Sequence, residues 1–153
     1  MSVAFRRESD EDHKEPRFEI PLPSGPNPVT RRGLALIEAR VAGLEAAIAA
    51  EPEEAARDAL RRELRYWNTR RTTAELAPPP EEGVVGIGAR VRIRIAGAER
   101  VIDIVGHDEA EPNAGRLAFS APLAQALIGA EEGERMDFGG RAIEVIEVTA
   151  IPD

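Results

Sequence analysis

The side chains best equipped for chemistry in this chain are four carboxylates and a run of arginines that follows them. Glu51, Glu53 and Glu54 stand together, with Asp58 one turn further on. Arg57, Arg61 and Arg65 then recur at intervals of four, with Arg62, Arg70 and Arg71 beside them. The acids can offer oxygen ligands. In a first helical turn they would instead stabilise the helix against its own dipole, by about 0.3–1 kcal/mol. The arginines can form a stripe that faces phosphates or acids, or a solvated helix face with local ion pairs. Asp58, Glu63 and Glu75 are the acids that oppose them, a large excess of arginine for a chain of net charge −8.

The elements that must carry these groups are two helices within residues 30–76. Leu34, Ile37, Val41, Leu44 and Ile48 step by three and four residues, the seam of a coiled coil. Thr30 is placed to cap the first helix. Gly33, in its opening turn, suggests that another backbone packs close there. Glu51-Pro52 ends the pattern, because the residue before a proline is pushed out of helical geometry while proline itself suits a first turn. Leu60, Leu64 and Trp67 then share a second face. Helices joined this tightly lie antiparallel, so the carboxylates fall at the tip of a projecting rod.

Composition bounds the rest. With no cysteine in 153 residues, disulfides, thiolate chemistry and zinc–sulfur sites are excluded. His13 and His107 are too few and too far apart for an imidazole metal cluster. The absence of a long apolar run argues against a membrane partner, and the charged opening residues are no secretory signal, so a cytoplasmic location is expected. Net negative charge argues against whole-surface binding to naked nucleic acid. Residues 1–29, with a proline-rich connector over 21–28, read as a disordered or extended tail. Residues 30–77 form the hairpin, and Pro78-Pro79-Pro80 opens a linker over 78–83.

From residue 84 onward the periodicity becomes alternating. Val91, Ile93 and Ile95 face one way and Arg90, Arg92 and Arg94 the other, as in a half-exposed strand. A turn at Ala96-Gly97-Ala98 leads to a returning strand over 100–105. A polar loop over 106–115 follows, then a short strand over 116–119. Ser120 is expected to cap a short helix starting near Pro122 and stopped by Gly129. Residues 134–138 and 142–149 make a closing hairpin. The fold class is α+β: an antiparallel helical hairpin plus a small antiparallel sheet with one short helix, over residues 84–153.

The stretch from Ile104 to Gly129 resembles the C-terminal domain of the Gre-type bacterial transcription elongation factors. That family's Val-Gly-x-Asp-Glu-Ala loop reads here Val105-Gly106-His107-Asp108-Glu109-Ala110. Its Ser-Pro-Leu-Ala-x-Ala-Leu-x-Gly helix reads Ala121-Pro122-Leu123-Ala124-Gln125-Ala126-Leu127-Ile128-Gly129. Gly133-Glu134 and Gly139-Gly140 look like its Gly-Asp step and Gly-Gly hairpin. Thr30-Arg31-Arg32-Gly33-Leu34 matches its Thr-x-x-Gly opening. The resemblance implies an FKBP-like C-terminal domain that docks on the rim of the RNA polymerase secondary channel, with the rod pointing inward. Nascent RNA and DNA would be met only within that complex. Ser120, Ala121, Pro122 and Leu123 would face the polymerase. Glu51, Glu53, Glu54 and Asp58 would approach Mg²⁺ of its active centre, with Arg57, Arg61, Arg62 and Arg65 as a basic face. No cofactor would be bound stably. The polymerase, not the factor, would be the catalyst of any transcript cleavage.

The sequence departs from the family pattern at the tip. Aligning the family's tyrosine with Tyr66 puts its acidic pair at Ala59 and Arg62. Ser120-Ala121-Pro122 lacks the aspartate of the family's Asp-Ser-Pro. The first arm spans about 30 Å, and against the family pattern each arm is shorter by about 10 Å. These departures point to an alternative: a non-cleaving regulator of the channel, similar to the regulators of nucleoside diphosphate kinase. A peptidyl-prolyl isomerase is suggested by fold alone, and only Phe119 and Phe138 beyond residue 80 could line its apolar cleft.

Overall fold

The computed structural model describes residues 19–152; the expectations for residues 1–18 lie outside them. The hairpin consists of α1 (Arg31–Ala50) and α2 (Glu54–Thr73). Thr30 caps α1 as its sequence predicts, its hydroxyl accepting from the Gly33 amide at 3.0 Å. Ile37 and Val41 on the seam are buried, whereas Leu44 and Ile48 nearer the tip are half-buried. The packing therefore thins outward along the rod. On α2, Leu60, Leu64 and Trp67 are half-buried, and the Arg40 guanidinium of α1 lies over the Trp67 ring at 5.4 Å.

Two three-residue strands, β1 (Asn27–Val29) and β2 (Ala74–Leu76), pair in parallel at the foot of the hairpin. Neither is expected from sequence. Asn27–Val29 falls in the expected tail, yet Asn27 and Val29 are both 3% exposed. Prolines and short length hide the alternation, and the strands form because the chain enters and leaves the hairpin at one place.

The C-terminal domain is a five-stranded sheet. Its strands are β3 (Ala89–Ile95), β4 (Ala98–Val105), β5 (Arg116–Ala118), β6 (Arg135–Phe138) and β7 (Arg141–Ala150), in the order β5-β4-β3-β7-β6. Along β3 the alternation holds: Val91, Ile93 and Ile95 are buried with Ile102, Ile104, Ile143 and Val145. Arg92 and Arg94 on the other side pair with Glu99, Glu144 and Glu147. The short helix α3 (Pro122–Leu127) closes the core with Ala124 and Leu127, both fully buried.

Two expectations are corrected. The sheet is mixed rather than antiparallel throughout, because β5 runs parallel to β4. The intervening loop, with short 3-10 turns at His107–Glu109 and Pro112–Ala114, carries the chain back before β5 begins. Ser120 does not cap α3. Ala121 occupies the cap position without a side-chain bond, and Pro122 in the first turn has no amide to satisfy.

Candidate functional site

The expected tip residues do lie where the two helices meet. Glu51 is half-buried, while Glu53, Glu54 and Asp58 are exposed. They are not gathered into a metal centre: among the described residues no group of three or more acidic or histidine side chains is placed to hold a metal ion. Their partners explain this. Glu54 is bound by Arg57 and reached by Arg61 at 3.7 Å, and Asp58 accepts from Arg61 at 2.9 Å. The Glu51 carboxylate turns back to the Glu53 amide at 3.1 Å, and Arg57 also donates to the Glu51 carbonyl at 2.8 Å. Acids and arginines expected to serve two separate roles are thus largely engaged with each other.

Three of the four arginines of the basic face, Arg57, Arg61 and Arg65, are paired with acids. Arg65 makes a two-bond contact with Glu19 at 2.6 and 2.9 Å. That contact holds the Glu19 carboxyl below its usual range, chiefly through the Arg65 hydrogen bond. Arg62 is half-buried and makes no ion pair among the described residues. Arg70 leaves the face altogether, since its side chain is 4% exposed and turned toward the C-terminal domain.

Ser120 and Pro122 are exposed, whereas Ala121 and Leu123 pack against the domain core. The four expected contact residues therefore divide by alternation: two are exposed and two anchor the helix. Gln125 fastens the preceding loop by donating to the Phe119 carbonyl at 2.7 Å. His107, without an assigned partner in the sequence, packs its ring edge-on to Phe119 at 4.9 Å.

The largest polar cluster that the sequence does not announce lies at the base of the hairpin. Asp108 accepts from Tyr66 at 2.5 Å and from Arg70 at 2.7 Å. Arg70 also donates to the Asn27 side-chain oxygen at 2.8 Å, and Asn27 donates back to the Arg70 carbonyl at 2.9 Å. Beside it, Glu109 accepts from the Thr30 hydroxyl at 2.5 Å and from Arg32 at 3.1 Å. Burial, then the Asp108 hydrogen bond, push the Tyr66 phenol up to about 12. A signal existed in the sequence: Arg70 is three residues beyond Trp67 and so lies on the apolar seam. Gly33 also signalled close packing, but what approaches is a carboxylate rather than a backbone. A Cβ there would sit 2.9 Å from Glu109 Oε1.

Comparison with known proteins bears on the domain more than on the rod. Residues 79–152 match the family model described as transcription elongation factor, GreA/GreB, C-term. Transcription elongation factor GreA of Azorhizobium caulinodans is 44% identical over 54 residues, covering 33% of this chain and 34% of that protein. The GreA of Rhizobium etli is 35% identical over 71 residues, covering 42% and 45%. The chain thus spans a third to under half of the length of these relatives. Among solved structures, the GreA/GreB factor from Nitrosomonas europaea aligns at TM-score 0.41 and 21% identity, over 82% of this chain and 99% of that one. GreA factor homolog 1 of Thermus thermophilus aligns at TM-score 0.39 and 14% identity, over 82% and 100%. Among the described residues no helix is long and apolar enough to cross a membrane. Residues 79–152 are thus similar to the GreA/GreB C-terminal domain, and they follow a hairpin of two 20-residue helices.

Proposed function

We propose that the chain is a transcription elongation factor that binds RNA polymerase at its secondary channel and modulates paused or backtracked complexes. The observation that carries this reading is the match of residues 79–152 to the GreA/GreB C-terminal domain. The exposed Ser120 and Pro122 supply the docking edge, and the hairpin projects into the channel. The polymerase does the chemistry. A pull-down with core RNA polymerase, followed by an RNA-cleavage assay on stalled complexes with the same preparation, tests it. Retention by the polymerase is expected, and no retention at saturating concentration overturns the reading.

Within that reading, the tip favours a factor that occupies the channel without stimulating cleavage. Ala59 and Arg62 stand where the Gre pattern has its acidic pair, no metal-holding group of acids is gathered among the described residues, and arms of about 30 Å give a short reach. Such a factor competes with a cleavage-stimulating relative and adds nothing to the polymerase's own rate of RNA shortening. Shortening above the factor-free rate, abolished by joint replacement of Glu51, Glu53 and Glu54, would instead restore the cleavage reading.

A further inference from the structure

Two motifs far apart in the sequence, the one containing Thr30 and Gly33 and the one containing Gly106, Asp108 and Glu109, meet at one place. All four carboxylate oxygens of the His107–Glu109 turn are taken, each by a different hairpin side chain. Asp108 Oδ1 and Oδ2 go to Tyr66 and Arg70 of α2. Glu109 Oε1 and Oε2 go to Thr30, at the start of α1, and Arg32 of α1. Every oxygen of the pair therefore has a partner on the hairpin. We infer that Asp108 and Glu109 are positioning residues, each gripping one arm, which join hairpin and C-terminal domain into a single rigid body and so set the direction in which the tip points. This deepens the polymerase reading and rests on it for its functional meaning, but the geometry stands without a polymerase.

Three further observations support the joint. The Arg70–Asp108 pair is almost dry, its side chains 4% and 5% exposed, and Glu109 is equally buried at 2%. Such pairs demand good geometry and resist sliding. The surfaces also meet too closely for side chains: a Cβ on Gly106 would lie 2.5 Å from the Pro28 carbonyl oxygen, and one on Gly33 would strike Glu109. Finally, the covalent connection from β2 to β3 is one segment, and a single tether cannot by itself fix an angle. Carboxylates on two different arms can.

The chain lacks cysteine, so Ala49→Cys near the tip and Ala98→Cys at the far end of the sheet would accept a unique pair of spin labels on otherwise intact protein. Pulsed dipolar spectroscopy on the protein alone should give one narrow tip-to-sheet distance. Asp108→Asn with Glu109→Gln should broaden or split it, while the helical and sheet signals of the folded protein persist. Tyr66 is the only tyrosine, so its absorbance titration reads the joint independently and should fall from about 12 toward 10 in the Asp108→Asn protein. Loss of stability alone leaves the distance of the folded population where it was. If the double variant does not fold, Arg32→Gln and Gly33→Ala together decide by the same broadening. A broad distribution in the unaltered protein, or an unchanged narrow one in a folded variant, overturns the inference. Since no polymerase is present, neither result touches the binding reading.

Discussion

The base and the tip of the hairpin use the same side chains, arginine against carboxylate, in opposite surroundings. At the base, Arg70 and Asp108 are nearly sealed from water. At the tip, Glu54 and Asp58 are 69% and 53% exposed and Arg61 is 44% exposed. An exposed pair contributes at most about 1 kcal/mol and exchanges readily with solvent or ligand. A buried pair is costly to break, because its survivor is left charged without water. The position of a charge along the rod, rather than its type, therefore separates groups that hold the molecule together from groups left open to solvent.

The contrast can be broken most decisively at Asp108. Its replacement by alanine strands Arg70 and should cost about 3–5 kcal/mol in urea unfolding; a loss below about 1 kcal/mol would put the base on a par with the tip. Next come the seam residues. Ile37→Ala should cost about 2–5 kcal/mol, and Ile48→Ala, half-buried toward the tip, about 1 kcal/mol. The two α1 glycines should differ in sign. Alanine at Gly43 meets nothing within 4 Å and should stabilise by about 0.5–1 kcal/mol, whereas alanine at Gly33 runs into Glu109 and should destabilise. Thermal melts of the pair read this directly.

A smaller effect follows from Tyr66. Its folded phenol ionises near 12 against an ordinary value of 10, so the neutral form is the one that folding favours. Its contribution is complete below pH 10 and is lost as pH rises toward 12. Unfolding midpoints across that range should decline together with the tyrosinate absorbance. Smallest of all, Asp58→Asn should alter stability by less than about 0.5 kcal/mol, leaving any change in polymerase assays attributable to the tip itself.

The parts of the molecule legible in the sequence are those whose residues are organised by near neighbours. The seam from Leu34 to Ile48, the Thr30 cap and the alternation of Val91, Ile93 and Ile95 each repeat a local period, and helices and strands follow within a residue or two. The base was only faintly legible, for the opposite reason. Arg70 looks like one more member of the arginine stripe until Asp108 is brought beside it, and two strands of three residues, one of them interrupted by Pro28, carry no readable period. The tip was legible in place but not in state. The acids and arginines were both visible, and their mutual neutralisation depends on rotamers at i and i+3 that composition does not specify.

The parallel pairing of Asn27–Val29 with Ala74–Leu76 ties the chain's entry to and exit from the hairpin into a collar at its base. What happens beyond that collar is mechanically private to the helices. Turns can be added or removed in register on both arms without redesigning the seat on which they stand. Reach becomes a dial independent of grip, and grafting longer arms outward of Val41 and Leu64 is the direct way to turn it.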